Sequence, residues 1–323
     1  MATINLKDLD TIKFNGNKIR ELKINNQNVW EKNFGRSEPI FAIFNSQVLA
    51  ENVLVKEMKQ SLENYIGIPV YFYTYTDNNI SVDSDSLDAF VFFEFSNIEI
   101  FTKFAREVIQ SESSYFFFYK QNLNVDIPST ILDEFKSAGI PTGLIDFNST
   151  DFNQKINHEV NSCFQNNEFD NCLILYSGEK DYFNEQISNF ISNNFSGNVT
   201  GIQTTSGAGD AMQEFLKQYY EPCFIICEAD MLYDVIESLE AAGKSPSDYC
   251  IICVGKSDYA SEMLSQNEIE CIICEDLDKF GEFINEAKND LDAGGEINVE
   301  GVTNKITDQG LAEYLLPFKV INA

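Results

Sequence analysis

The sequence predicts an α/β protein made of two doubly wound lobes with parallel sheets, preceded by a small all-β hairpin module. Two observations predict this fold class. From residue 39 onward, short apolar runs alternate with segments whose apolar residues recur at helical spacing, which is the pattern of strand–helix units in a parallel sheet. Residues 1–33 instead consist of short runs separated by Asn and Gly turns, a texture typical of hairpins.

The hairpin module occupies residues 1–33 and contains the only tryptophan of the chain. Its stretch FNGNKIRELKINNQNVW includes Asn15-Gly16, a dipeptide that accepts the positive φ values of a tight hairpin turn. So small a β unit buries too little surface to be stable alone. We therefore expect it to dock, either on the rest of the chain as a β cap or on a neighbouring subunit. The apolar side chains available for docking are Ile19, Leu22, Ile24, Val29 and Trp30.

Two successive series of strands and helices predict two lobes of the same architecture. In the first series we expect strands at 40–46, 69–77, 87–95, 114–120 and 140–147, with helices at 48–66, 98–110 and 129–139. In the second we expect strands at 171–178, 199–205, 222–229, 248–255 and 269–276, with helices at 180–195, from about 210, at 231–243 and at 277–292. The first lobe is assigned 39–147 plus about 259–290, and the second 148–258 plus about 291–323.

The composition argues against several classes of function. The 323 residues carry a net charge of −29, whereas binding to nucleic-acid phosphates requires an excess of Lys and Arg. The same acidity disfavours adhesion to anionic lipid. Positions 1–12 lack the basic start and apolar core of a secretory signal, and no apolar run approaches the roughly 18 residues of a membrane span. We expect synthesis in a cytoplasm, with no partner among nucleic acids and no membrane insertion.

Three close pairs of cysteines invite a metal interpretation: Cys223 with Cys227, Cys250 with Cys253, and Cys271 with Cys274. A zinc ribbon would place such pairs in polar turns. Here they lie in buried-strand patterns such as YCIICVG and IECIICED, and residues i and i+3 of a strand point to opposite faces. Because the two sulfurs of each CIIC cannot share an ion, we expect reduced cysteines in the core and no metal site.

The order of phrases across 39–300 resembles the type I periplasmic-binding-protein fold of sugar-binding repressor cores and ribose-binding proteins. The matching phrases are LDAFVFF (87–93), AGIPTGLID (138–146), FIICEADMLYDVIESLEAAGKSPSDYCIICVGKSD (224–258) and IECIICEDLDKFGEFINEA (269–287). The resemblance implies a ligand cleft between the lobes. It implies candidate cleft positions at Asn45, Ser46, Gln47, Gln186, Asp230 and Asp258.

The family's arginine, which clamps sugar hydroxyls, has no counterpart in this sequence. The phrase that matches its helix runs from Gln186 to Phe190 and contains no cation. A cleft with carboxylates and without arginine would suit a polyol or a cation, or it would be a cleft that no longer binds a ligand.

The stretch FNGNKIRELKINNQNVW, with its lead-in TINLKDLDTIK, resembles a small N-terminal module common in structural proteins of tailed bacteriophages. The resemblance implies a virion protein of the head, tail fibre or decoration type, anchored to other virion proteins through residues 1–33 and acting as a homo-oligomer or on the particle. The two-lobed domain would then contact a host-surface glycan or decorate the particle. The alternative is a soluble binding protein for a sugar-type small molecule.

The segment TTSGAGD (204–210) resembles the TTGAGD signature of ribokinase-like sugar kinases, in which the glycines form an anion hole and the aspartate acts as a base. Ser206 interrupts the signature, and the early Gly-Gly substrate motif of those kinases is absent from the sequence. The alternative is that Ser206 or Asp210 caps a helix. The only histidine, His158, lies in a polar stretch. The sequence therefore predicts no catalytic residue and no cofactor, and a sugar kinase is only a third hypothesis.

Overall fold

The computed structural model describes residues 127–292, apart from 167–168, 179–181, 185, 194 and 205–206, and residues 297–322, apart from 309. N-terminal to these it describes residues 12–14, 17–19, 21–24, 27–31, 41–46, 53–66, 71–75, 89–92, 98–110 and 115–119. Gln47 lies outside the described residues. No helix within these ranges is both long enough and apolar enough to cross a membrane.

The described N-terminal strands form two antiparallel hairpins, as predicted. Phe14 pairs with Asn17 across the connection Asn15–Gly16, and Ile24 pairs with Gln27 across another two-residue connection. Among the described strands, each hairpin forms its own two-stranded sheet and pairs with neither of the larger sheets. The strands are β1 (Ile12–Phe14), β2 (Asn17–Ile19), β3 (Glu21–Ile24) and β4 (Gln27–Glu31).

In the described part of the chain, the first large sheet has seven strands in the order β15-β16-β9-β8-β7-β5-β6. All neighbours are parallel except β15 and β16. The strands are β5 (Phe41–Ser46), β6 (Tyr71–Tyr75), β7 (Ala89–Phe92), β8 (Tyr115–Tyr119), β9 (Thr142–Phe147), β15 (Thr303–Ile306) and β16 (Ala312–Leu316). The helices that alternate with them are α1 (Val53–Ile66), α2 (Ile98–Gln110) and α3 (Ser129–Ala138).

The second large sheet, as far as the chain is described, has six strands in the order β11-β10-β12-β13-β14-β17, with β17 antiparallel to β14. Its strands are β10 (Asn171–Tyr176), β11 (Asn198–Gln203), β12 (Phe224–Glu228), β13 (Cys250–Val254), β14 (Cys271–Glu275) and β17 (Phe318–Asn322). The remaining helices are α4 (Ser149–Asn166), α5 (Gln186–Ser192), α6 (Ala208–Gln218), α7 (Leu232–Ala241), α8 (Asp258–Ser265) and α9 (Leu277–Asp292).

Both sheets have the same strand order. Numbered from the first strand of each lobe, the first five strands lie in the order 2-1-3-4-5 in each sheet, which is the flavodoxin-like doubly wound arrangement. Every residue of β12, β13 and β14 is buried, as expected for a parallel sheet covered on both faces. The predicted α/β class and the repeated architecture are therefore confirmed.

Within the described residues, the chain passes between the two lobes three times. It passes from β9 to α4, which contacts β14 and β17; from β14 to α9, which packs against α1; and from β16 to β17. Backbone hydrogen bonds tie the crossings together, because the amide of Asn148 donates to the carbonyl of Leu316 (2.7 Å) and that of Asp276 donates to the carbonyl of Pro317 (3.0 Å). The ends of β9, β14 and β16 therefore meet at one place.

Strand pairing divides the C-terminal part of the chain differently from the sequence-based assignment. Of the segment at about 259–290, β14 belongs to the second sheet, while α9 packs on the first lobe against α1. Of the segment at about 291–323, β15 and β16 extend the first sheet, and only β17 joins the second. Each of these strands completes a sheet by backbone hydrogen bonds, and its sequence carries no signal for which sheet that is.

Aromatic packing fills the third crossing. Phe318, the first residue of β17, has its ring centroid 4.7 Å from that of Tyr182, 5.1 Å from that of Phe152 and 5.6 Å from that of Phe147. These four side chains belong to the larger core cluster, which also contains residues of α9 and β14. The junction between the lobes is thus part of a continuous apolar core.

The predicted orientation of the CIIC cysteines is confirmed, but the expectation that Cys250 is a reduced core cysteine is wrong. Cys250 and Cys271 face one core cluster, whereas Cys253 and Cys274 face the other. Cys163 of α4 and Cys250 form a disulfide with a Cα–Cα distance of 6.6 Å across a sequence separation of 87 residues. The fold alone brings this pair together, so the local spacing of cysteines gives no sign of it.

Candidate functional site

The candidate site lies where the parallel strands of the two sheets end, and we call this edge of each sheet its carboxyl edge. In an open sheet of order 2-1-3-4-5, loops diverge between the ends of the first and third strands and leave a crevice for ligands. These ends belong to β5 and β7 in the first lobe and to β10 and β12 in the second. Because the crossings join the ends of β9, β14 and β16, the two carboxyl edges face each other.

In the second lobe, a buried carboxylate spans the ends of β10 and β12. Glu228, the last residue of β12, is only 4% exposed. One of its carboxylate oxygens accepts a hydrogen bond from the amide of Ser177 (2.7 Å), and the other accepts one from the Ser177 hydroxyl (2.8 Å). The side chain of Gln203 also donates to the carbonyl of Ser177 (3.0 Å). Because a buried charge requires such donors, this arrangement fixes the loop that follows β10.

A second buried carboxylate lies at the end of β14, next to a crossing. Glu275 is 4% exposed and accepts a hydrogen bond from the Tyr182 hydroxyl. Burial raises the pKa of Tyr182 well above its ordinary value, and the nearby charge of Glu275 raises it further. The phenol therefore stays protonated and remains a hydrogen-bond donor at neutral pH. Since the Tyr182 ring packs on Phe318, this pair connects the carboxyl edge to the aromatic core of the crossing.

Two polar contacts connect α1 of the first lobe to segments that follow strands of the second sheet. Lys256, in the loop after β13, forms a 3.2 Å ion pair with Glu57 of α1. The hydroxyl of Ser61, one turn further along α1, donates to the carbonyl of Leu277 at the start of α9. The ion pair is partly exposed and contributes little to stability, but it shows that α1 lies beside the edge of the second sheet.

The structure brings three of the sequence-predicted residues to the carboxyl edges near the divergent loops. Asn45 and Ser46 are the last residues of β5. Asp230 is exposed and follows the end of β12 by two residues. Asn45 and Ser46 thus lie at the end of the first strand of their sheet, and Asp230 follows the end of the third strand of its sheet.

The two other predicted positions that the structure describes, Gln186 and Asp258, begin the helices that follow β10 and β13, so they also lie on the side of the second sheet where its parallel strands end. Gln186 begins α5, which packs beside the edge strand β11. Asp258 is the exposed first residue of α8. The cap of that helix is Ser257, whose hydroxyl accepts from the amide of Ala260 (3.0 Å). Asp258 thus places a negative charge at the positive end of the helix dipole, which stabilises the helix.

Sequence reasoning missed the residues with the most specific contacts at this edge, namely Ser177, Tyr182, Glu228 and Glu275. One signal was present in the sequence. The two buried strands FIICE and CIICE each end in a glutamate, although Glu is seldom buried without a partner. Their partners lie 51 and 93 residues away in the sequence, so only the fold identifies them.

The segment 204–210 follows β11, the edge strand beside β10. α6 begins at Ala208, and its N-cap is Gly207 with a φ of 94° and no side-chain cap. Asp210 is exposed and does not cap the helix, so that alternative is wrong for Asp210, while Ser206 lies outside the described residues. α6 follows the edge strand β11, whereas the crevice expected for this strand order lies between β10 and β12.

Comparison with known proteins supports the fold class at the level of structure. A sugar-binding protein of a sugar ABC transporter from Bacillus halodurans has a TM-score of 0.59 at 10% identity, covering 88% of this chain and 97% of its own. A glucose-galactose binding protein from Geobacillus stearothermophilus has a TM-score of 0.57 at 9% identity, covering 89% and 98%. An ABC sugar transporter subunit from Rhodobacter sphaeroides has a TM-score of 0.55 at 12% identity, covering 88% and 98%.

No family model matches the chain, and no curated protein matches it in sequence. At such low identities, the structural likeness establishes the fold alone. The chain has the type I periplasmic-binding-protein fold: two doubly wound lobes, joined by three crossings, with their carboxyl edges facing each other.

Proposed function

We propose that this chain binds a small polar ligand of the sugar type between the carboxyl edges of its two lobes. The observation that carries the proposal is the meeting of two sheets of order 2-1-3-4-5 at their carboxyl ends, the place where open α/β sheets take up ligands. The solved structures with this fold that are named above are described as sugar-binding or sugar-transport proteins, which supports the same class of ligand.

The chemistry of the described edge favours a neutral or cationic ligand. Glu228, Glu275 and the exposed Asp230 supply carboxylates there, and Ser177 supplies a hydroxyl group. Carboxylates accept hydrogen bonds from ligand hydroxyl or ammonium groups, whereas they repel a phosphate or carboxylate. We therefore expect neutral sugars or amino sugars to bind, and sugar acids and sugar phosphates to be excluded.

A thermal-shift screen of the full chain tests this proposal. The panel contains neutral monosaccharides, amino sugars, sugar acids and sugar phosphates. Binding to the folded state at 100 times the dissociation constant stabilises the protein by about 2.7 kcal/mol, so a ligand should raise the melting temperature measurably. Asp230→Asn should weaken the shift, whereas Asp248→Asn, at an exposed aspartate just before β13 on the opposite edge of the sheet, should leave it unchanged. The proposal fails if no neutral or amino sugar stabilises the chain, or if both variants respond alike.

A second candidate function, attachment to a virion, is favoured by the N-terminal hairpins. Leu22 pairs with Trp30 across β3 and β4, and in the described chain the hairpins pair with neither large sheet. We propose that the hairpins dock on virion proteins or on further copies of this chain through Ile19, Leu22, Ile24, Val29 and Trp30. The two-lobed domain is then displayed for decoration or for contact with a host-surface glycan.

Light scattering of the full chain separates the two candidates. Docking between copies predicts an oligomer that Trp30→Asp converts to a monomer, while Tyr220→Asp, on the exposed surface of the second lobe, leaves the oligomer intact. A monomeric wild-type chain would argue against self-docking, and co-sedimentation with phage particles would then be the remaining test of attachment.

A further inference from the structure

A second cluster of ligand atoms lies at the amino-terminal end of the second sheet, at the opposite edge from the candidate cleft. It consists of Cys163 near the end of α4, Cys250 at the start of β13 and Glu270 just before β14. Both sulfurs and a carboxylate oxygen of Glu270 lie within 4.8 Å of one another. Among the described residues, no other group of three His, Cys, Asp or Glu side chains converges in this way.

The fold holds these three residues in place from different elements. α4 lies over the face of the sheet to which Cys250 points, so that Cys163 and Cys250 share a core cluster and are 2% and 4% exposed. The amide of Glu270 donates to the carbonyl of Ile251 (2.9 Å), which sets the entry to β14 beside the start of β13. Glu270 itself is exposed, so one side of the cluster is open to solvent and the other is apolar.

The surrounding charge favours a cation at this place. Glu159 precedes Cys163 by one turn of α4, so a second carboxylate lies on the helix that supplies one of the two sulfurs. Thiolates select soft or borderline metals, and a set of three protein ligands with one open position is typical of an accessible zinc site.

We propose that Cys163, Cys250 and Glu270 form a site that holds Zn²⁺ once the disulfide between the two cysteines has been reduced. In the structure the two sulfurs are joined as a disulfide. A dithiol reductant transfers two electrons to it, yielding two thiols and the cyclic disulfide of the reductant. Zn²⁺ then displaces the two thiol protons to solvent and is held by both sulfurs and the Glu270 carboxylate, with water in the fourth position.

The site differs from the metal sites considered for the CIIC pairs. The two sulfurs of a CIIC face opposite core clusters, whereas Cys163 and Cys250 face the same one. The ligands come from a helix, a strand and a loop, and metal binding would join the first crossing helix to the second sheet as the disulfide does. A metal would therefore replace the covalent link under reducing conditions.

The test uses Co²⁺ as a spectroscopic probe on the full-length chain. The protein is reduced with a dithiol, freed of reductant without air and titrated with Co²⁺, and bound Co²⁺ is then displaced with Zn²⁺. We expect one equivalent of Co²⁺ with thiolate charge-transfer absorption in the reduced chain and none in the oxidised chain. Cys163→Ser should abolish the absorption. Glu270→Gln should weaken binding by about tenfold or more, while Glu237→Gln, an exposed glutamate on α7, should have no effect.

Three results would overturn the proposal: no thiolate absorption in the reduced chain, absorption that survives Cys163→Ser, or equal binding by the oxidised chain. Because Cys163 is buried, its variant is first checked for folding by circular dichroism. Glu270 is exposed and its substitution leaves the core unchanged, so Glu270→Gln keeps the test decisive if Cys163→Ser does not fold.

Discussion

Replacing Phe318 by alanine tests whether the third crossing is packed as a core. The side chain is 2% exposed and contacts the rings of Phe147, Phe152 and Tyr182. Truncating a buried phenylalanine to alanine costs about 3–5 kcal/mol because transfer energy is lost and a cavity remains. The Phe318 amide donates a hydrogen bond to the Asp151 carboxylate (2.7 Å). This bond survives the substitution, so the measured loss reports on side-chain packing.

Urea unfolding followed by circular dichroism measures the effect as a shift in midpoint at constant slope. Phe318→Leu, which keeps much of the volume, should lose less than about 1.5 kcal/mol. Tyr220→Ala is the control at a 74% exposed aromatic, where only its contact with Lys244 is lost, a cost of about 1 kcal/mol or less. A loss below about 1 kcal/mol in Phe318→Ala, or one equal to that of Tyr220→Ala, would refute a packed crossing.

Three further perturbations follow from the structure. Gly281→Ala places a Cβ 3.0 Å from a backbone oxygen of α1 and should lower the free energy of unfolding in urea by about 1–3 kcal/mol. Gly209→Ala is the control, because this glycine is also helical and its added Cβ would lie 3.4 Å from the nearest atom; this variant should be neutral or stabilising. Equal effects would contradict the close approach of α9 and α1. Burial raises the pKa of the Cys227 thiol from 9.0 to about 12, so the unfolded chain loses this proton at a lower pH than the folded chain does. Stability should therefore fall as pH rises from about 9 to 12, by about 1.4 kcal/mol per pH unit for each such thiol. An unfolding midpoint that does not change over this range, or a pH dependence that is unchanged in Cys227→Ala, would count against this prediction. Reducing the Cys163–Cys250 disulfide in the absence of metal should lower stability by about 2–5 kcal/mol, as expected for a loop of 87 residues, and a melting temperature unaffected by reductant would argue that the bond does not form.

The parts of the fold that the sequence predicts are those specified by local patterns. The buried strand predicted at 222–229 is observed as Phe224–Glu228, and the helix predicted at 277–292 is observed as Leu277–Asp292. Asn15-Gly16 predicts the first hairpin turn because few dipeptides accept its backbone angles. Each of these signals lies within one element, so the rest of the fold does not override it.

The helix α4 was missed although its buried face is periodic. Phe152, Ile156, Val160 and Cys163 are buried at helical spacing, but the residues between them are mostly polar, which lowers the mean hydropathy of the segment. The local sequence of α4 is therefore typical of a polar connection rather than of a buried helix. Its role as the first crossing helix depends on the sheet that it covers, which lies later in the chain.

The contacts of the candidate site could not be predicted because they join distant segments. The carboxylate of Glu228 is paired with Ser177, and that of Glu275 with Tyr182, only once β10, β12 and β14 lie in one sheet. The resemblance predicts Asp230 and Gln186 as cleft positions from short phrases of sequence. In the structure Asp230 follows the end of β12 by two residues, and Gln186 begins the helix after β10.

Calorimetric titration of the full chain with the sugar panel tests the central claim, that the facing carboxyl edges bind a small polar ligand. We expect saturable heat for a neutral or amino sugar at one site per chain. That heat should be lost in Asp230→Lys, which reverses a charge at the end of β12, and retained in Asp248→Lys, which reverses a charge at the opposite edge of the sheet. Absence of heat with every sugar, or binding that survives Asp230→Lys unchanged, would contradict the assignment of the cleft.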